Sequence, residues 1–354
     1  MKKIISALLL LTSCTHGIDQ LPVQEIDFTP EFTAQVKGTA TTDEILMNKG
    51  FGVFAATGKI GTEGNSAFAA DGELKSFMNN VPVRNQNGSW IADPVHYWPD
   101  GYDVSFFAYA PYIGQLTSET DWTEKQVSLT YTPDPNPKNH HDLMVAQLPA
   151  LDKFREQVNF SFQHVLTKVT FSAAYVGNIP STLPGDTYIR IDELELKGLL
   201  GTNKIVLKND GWSWDTEENA VPDASYKISI NGLTLSGAPL DPYDVPNPNE
   251  QTPKYTNFVQ DDGVMYLLPQ TINSGQATVG VTFSFVSGNN IHAQFYSEKP
   301  LPEYAFQPFE AVRFNLTLDI STASLIKVVA VNNAWIEKWV ESGNPIPEVK
   351  PEII

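Results

Sequence analysis

Apolar and polar side chains alternate residue by residue in run after run of this sequence, and a period of two commits a chain to strands. In "AVRFNLTLDI", Val312, Phe314, Leu316, Leu318 and Ile320 share one parity while Arg313, Asn315, Thr317 and Asp319 take the other. "TVGVTFSFV" repeats the pattern with Val279, Val281, Phe283 and Phe285. Successive side chains of an extended strand point to opposite faces, so each run specifies one buried face and one wetted face. "FGVFAATG" (Phe51 to Gly58), "VSFFAYAPY" (Val104 to Tyr112) and "YKISING" (Tyr226 to Gly232) also read as strands. Long helical periodicity is hard to find.

Near the front, "IDFTPEFTAQVK" alternates over a dozen residues. Ile26, Phe28, Pro30, Phe32, Ala34 and Val36 fall on one face, and Asp27, Thr29, Glu31, Thr33, Gln35 and Lys37 on the other. So well-formed a strand is unexpected where chains are most often loose, and the polar "GTATTDE" separates it from the next apolar run. In "VNFSFQHVLTKVTF" the apolar phase switches between Phe162 and Val165, and in "YIRIDELELKG" it switches near Asp192. A phase change inside a strand run predicts a bulge or corner. Stretches rich in Pro, Asn, Asp and Gly, such as "YTPDPNPKNHHD" and "DPYDVPNPNEQTPKY", predict loops. One of them, "GNIPSTLPGD" (Gly177 to Asp186), lies near mid-chain and is the expected boundary between two β-sandwiches, 26–180 and 181–354.

Composition agrees with an exported all-β protein. Charged residues make up 18%, whereas Pro (25), Gly (23) and an aromatic share of 11% are high. The 23 basic residues are outnumbered by 41 acidic ones, a balance that repels nucleic acid. At the N-terminus, Lys2 and Lys3 precede a short apolar run, Ile4 to Leu11, too brief to span a bilayer. It closes on "LTSC", which resembles the lipobox of bacterial lipoproteins. That resemblance implies cleavage between Ser13 and Cys14, removing 1–13, and a lipid on Cys14, the chain's one cysteine, with 14–25 as tether. A single exported cysteine gains no disulfide partner within the chain. Several acyl chains would then hold the protein on a bilayer without a transmembrane helix.

Chemistry-bearing residues do not converge on a catalytic pattern. "NHHD" offers His140, His141 and Asp142 as metal ligands, but adjacent residues on an extended chain point apart and no further ligand sits at a matching spacing. His164, among Phe160, Phe162 and Leu166, reads as a hydrogen-bonded core imidazole. Trp212 and Trp214 share a face in "NDGWSWD", where they serve either as a sugar-stacking shelf or as hairpin aromatics packed on a sheet. No nucleophile elbow or phosphate-cradling glycine loop is present. The expectation is a protein without enzymatic activity, metal or cofactor other than the lipid.

"FGVFAATG", "VSFFAYAPY", "HDLMVAQ", "VNFSFQHVLTKVTF", "VRFNLTLDI" and "IKVVAVNNAWIEKW" follow one another in an order similar to that of fimbrillin-like proteins of Bacteroides-type bacteria. The resemblance runs from the lipobox to Trp339. It implies two transthyretin-like β-sandwich domains and a subunit of a type V fimbria on the outer membrane. Its partners would be other fimbrial subunits and a host or bacterial surface receptor. In that family a trypsin-like protease removes the first strand, and a neighbour's strand fills the emptied groove. Here the matching cut lies between Lys37 and Gly38, although many relatives carry Arg there and an uncut anchor subunit would read alike. The tail "PIPEVKPEII" places its prolines on one parity and reads either as a donor strand or as a polyproline tail. A surface glycan-binding lipoprotein using Trp212 and Trp214 is the competing reading.

Overall fold

The computed structural model describes residues 24–32, 46–59, 73–151, 157–215, 224–235, 255–258 and 264–331. Strands dominate them, as the alternation requires. The first nine are β1 (Asp27–Phe32), β2 (Phe51–Lys59), β3 (Lys75–Gln86), β4 (Ser89–Ala92), β5 (Tyr102–Ala110), β6 (Thr117–Asp121), β7 (Gln126–Tyr131), β8 (Met144–Leu151) and β9 (Gln157–His164). Then come β10 (Thr167–Val176), β11 (Tyr188–Leu199), β12 (Asn203–Lys208), β13 (Gly211–Trp214), β14 (Ala224–Leu235), β15 (Thr256–Asn257) and β16 (Met265–Leu267). The last six are β17 (Gln270–Ile272), β18 (Thr278–Ser287), β19 (Asn290–Pro300), β20 (Tyr304–Phe306), β21 (Ala311–Asp319) and β22 (Ser324–Val331).

Three cores organise these strands. The order β1-β4-β3-β2-β5-β8-β9 closes into a barrel around Phe51, Val53, Phe106, Ala108, Phe160 and Phe162. A second core lies between the sheets β15-β10-β21-β22 and β14-β11-β18-β19, with Phe171, Phe314, Ile191 and Phe283 inside. The third sits where the sheet β13-β12-β7-β6 covers the outside of the barrel. There Val127, Leu129, Ile205 and Leu207 pack on Phe54, Phe107, Tyr109 and Val145.

This third layer explains why "FGVFAATG" and "VSFFAYAPY" are apolar at both parities. In β5, Phe106 and Ala108 face the barrel core, while Phe107 and Tyr109 face the covering sheet. A strand buried on both faces loses its alternation. The covering sheet draws β6 and β7 from the first half of the chain and β12 and β13 from the second, with Leu129 opposite Ile205 and Val127 opposite Leu207.

Both phase changes have a structural cause. Phe162 ends the barrel face of β9, Val165 and Leu166 turn into the third core, and Val169 and Phe171 enter the second. The switch is therefore a corner joining three cores. At Asp192 the register of β11 shifts between Ile191 and Glu193 against both β14 and β18, which is a bulge. The Pro-rich stretch Gly177 to Asp186 connects β10 to β11, and both strands supply the second core.

Glycine just before and within β2 is required for steric reasons. Gly50 has φ +72, and a Cβ there would lie 2.0 Å from the Val83 carbonyl oxygen. A Cβ on Gly52 would lie 2.4 Å from the Tyr109 ring, which crosses the strand at that point. The Tyr109 hydroxyl donates to a side-chain oxygen of Asn80 at 2.7 Å, so its polar end is not orphaned by burial.

Candidate functional site

The alternating N-terminal segment becomes β1, and its apolar parity points into the barrel. Ile26 and Phe28 are each 3% exposed, whereas Asp27 and Glu31 face outward. The Phe28 ring lies 6.1 Å from Phe51, 6.2 Å from Phe106 and 6.1 Å from Phe160, edge-on to the first two and stacked on the third. Around it, Phe51 continues to Trp90 at 5.4 Å and Phe162 at 5.5 Å, and Phe106 continues to Trp98 at 5.9 Å. Phe28 is thus the plug of an aromatic cage. Burying a side chain of this size contributes about 1.5–3 kcal/mol, and each ring pair adds about 0.5–1.5 kcal/mol.

Backbone bonding closes the barrel through the same strand. β1 runs parallel to β9 from Asp27 opposite Gln157 to Phe32 opposite Phe162. On its other edge it meets β4 only at Phe28 opposite Trp90, with a bridge from Glu25 to Tyr97 preceding it. The Ile26 amide donates to the His96 carbonyl at 3.0 Å, and the Trp98 amide donates to the Gln24 carbonyl at 2.9 Å. Even-numbered backbone groups therefore face the β4 side, and odd-numbered groups face β9. Pro30 lies on the even parity, so its missing N–H costs the parallel ladder nothing. Among the described residues, β1 beyond Phe28 has no strand partner on its β4 side.

The slot that β1 fills is shaped for an extended strand. It is apolar, with a repeat of two residues, a six-residue ladder on one edge and a short antiparallel contact on the other. An emptied slot of this kind has two open sheet edges, the geometry that pairs with another chain.

The other candidate residues fall in different places. Ser13, Cys14, Lys37, Gly38 and the tail 345–354 lie outside the described residues. His140, His141 and Asp142 do not converge on one point: they meet Asp134 and Tyr266, Lys49, and His164, respectively. No group of three or more His, Cys, Asp or Glu able to hold a metal occurs among the described residues. His164 is a buried imidazole whose Nδ1 lies 2.6 Å from Asp142 Oδ2, with both side chains 3% exposed. Of the two readings of Trp212 and Trp214, their contacts match the packed hairpin aromatics. Both pack against the third core; the Trp212 indole donates to Gln163 Oε1 at 2.9 Å, and the Trp214 indole to the Val165 carbonyl at 2.8 Å. Their N–H groups are spent on clamping β13 to the end of β9 and to the corner just beyond it.

Sequence reasoning identified β1 but not its lining. Phe160 and Phe162 were legible as one face of a strand, whereas Phe106 and Trp98 join them only in space.

The sequence matches the fimbrillin-like family across residues 39–339. A fimbrial protein from Bacteroides vulgatus is 20% identical, covering 90% of this chain and 100% of its own, with a TM-score of 0.59. A "putative cell adhesion protein" from Bacteroides ovatus is 15% identical over 90% of this chain and 98% of its own, with a TM-score of 0.48. One of the same description from Bacteroides uniformis is 16% identical over 89% and 99%, with a TM-score of 0.45. Curated protein sequences give no match. With most of its length covered by the family match, and an all-β architecture shared with the Bacteroides vulgatus fimbrial protein, this chain belongs to the fimbrillin-like family.

Proposed function

We propose that this protein is a structural, non-enzymatic subunit of a type V fimbria that supports adhesion at the cell surface. In this reading its two larger cores are transthyretin-like modules, and Cys14 carries the lipid that takes the subunit to the outer membrane. Cleavage after Lys37 releases β1, and a strand from another subunit takes its place. The observation that carries the reading is the position of β1. It comes first among the described strands, closes the barrel, and supplies a plug that a strand of similar pattern is able to replace. The family match begins at residue 39, past β1 and Lys37, which supports treating β1 as separable.

Limited trypsin treatment followed by size-exclusion chromatography and electron microscopy tests the exchange. The cut subunit is expected to assemble, Lys37→Gln to stay monomeric, and a peptide of residues 26–36 to slow assembly. A subunit that is cut after Lys37 yet stays monomeric with β1 bound would show that the strand is a permanent part of the fold. Lipidation has its own test. Cys14→Ala is expected to shift the protein out of the membrane fraction and abolish fatty-acid labelling; unchanged labelling would exclude Cys14 as the attachment point.

A further inference from the structure

The loop "TPDPNPKNHHDL", residues 132–143, runs as a strap from β7 of the covering sheet to β8 of the barrel, with Leu143 in the third core. Its centre is a 3-10 turn, Pro137–Asn139, held by the Asn136 side chain accepting from the Lys138 amide. Just beyond lies His140, 8% exposed. Its Nε2 is 2.7 Å from the Asp134 carbonyl oxygen, which only accepts, so Nε2 carries the proton. Its Nδ1 is 3.1 Å from the Tyr266 amide, which only donates, so Nδ1 must be bare. Two backbone groups thus fix a neutral Nε2–H imidazole. The ring also stands edge-on to Tyr226 at 5.1 Å. Tyr266 belongs to β16 and Tyr226 to β14, so this one side chain fastens the strap to two strands associated with the second core.

We propose that His140 is an acid-released latch between the 132–143 strap and the second half of the molecule. A proton added to Nδ1 would point at the Tyr266 N–H, turning a hydrogen bond into a clash of two donors. Burial is the largest influence and holds the imidazole below the usual histidine range; the Asp134 carbonyl and the Asp134 charge both favour protonation and His141 opposes it, and burial outweighs the two that favour it. Tyr226, Tyr266 and Tyr131 present phenol groups, each held in the neutral form by burial. His141 faces Lys49 Nζ at 2.5 Å, and burial followed by that ammonium group lowers its proton affinity as well. Asp142 is engaged with His164. His141 ties the strap to Lys49 in the first half, so its protonation would loosen a different contact.

The sign follows from linkage. A histidine held neutral in the fold takes up protons more readily once released. Its contribution is present above the ordinary histidine value of about 6.5 and is lost as pH falls below it. Amide hydrogen exchange at Tyr266 and across 132–143, corrected for intrinsic rates, reads this directly. Opening at Tyr266 is expected to increase up to about tenfold between pH 7.5 and 5.5. His140→Asn keeps an acceptor near the Nδ1 position but gains no proton, and is expected to flatten that pH step. His141→Asn is expected to leave it intact. An undiminished step in His140→Asn, or its loss in His141→Asn, would overturn the assignment. Nitrogen-15 NMR of the wild-type imidazole gives a second measurement that needs no variant. Nε2–H at pH 7.5 is expected, and Nδ1–H would refute the latch.

Discussion

Replacing Phe28 by alanine is expected to lower the unfolding free energy of the intact chain by about 3–5 kcal/mol, the usual cost of truncating a buried phenylalanine. Phe28 is 3% exposed and lies within 6.2 Å of three aromatic rings, so the void it leaves is walled by side chains anchored in three other strands. Glu31→Ala, an exposed position on the same strand, is expected to stay within about 0.5 kcal/mol of the parent. Urea unfolding followed by circular dichroism compares the two, with an unchanged slope showing that the midpoint shift reports stability. If exchange operates as proposed, the same substitution in a subunit cut after Lys37 should hasten release of the strand and speed assembly. A loss below about 1 kcal/mol for Phe28→Ala would mean that the cage closes around the gap and that β1 is not its plug.

Leu129→Ala is expected to cost about 2–5 kcal/mol and, unlike an ordinary core truncation, to weaken both halves of the chain together. Leu129 is fully buried in β7 and faces Ile205 of β12, which arrives from beyond β11. The covering sheet therefore ties the outer face of the barrel to a segment that continues into the second half. Such coupling predicts a single calorimetric transition, with the van't Hoff enthalpy matching the measured one. Hydrogen exchange at Val53 in the barrel and Phe314 in the second core should shift by similar amounts in the variant. Two resolved transitions, only the first of them moved, would show that the cores unfold independently.

How much of this was legible in the sequence depends on what a period of two encodes. It specifies which face of a strand is buried, and β18 and β21 show that alternation on the page: Val281 and Phe283, and Phe314 and Leu316, all lie in the core. It also marks where the pattern slips, so the bulge at Asp192 and the corner at Val165 were both foreseeable. It does not name partners. Nothing in "IDFTPEFTAQVK" distinguishes a parallel neighbour from an antiparallel one, and the pairing of β1 with β9 emerged only in three dimensions. The change of core could not be read from Pro and Gly content, because Gly177 to Asp186 is a loop within the second core's strands while the crossing at Val165 and Leu166 is apolar. "NHHD" advertised metal chemistry through residue type alone. Its geometry instead binds each side chain to a different partner, and two of those partners are backbone groups, which sequence composition never displays.

The pairing of β10 with β21 sets a timetable. The two strands lie side by side in parallel from Lys168 opposite Ala311 to Val176 opposite Asp319, near the middle of the second core. A chain made from its N-terminus produces β10 long before β21. At ordinary synthesis speeds the wait is on the order of ten seconds. Until then Val169, Phe171 and Ala173 have no parallel neighbour, and the entropy of closing so long a loop is spent before the contact forms. The barrel strands are all available by His164, so its strand pairing can begin while the second core is still waiting for its last strands. In a chain that folds as it is made, completion of the second core therefore waits for the segment from Ala311 onward, and "TKVTFSAAYV" spends that interval without its parallel neighbour.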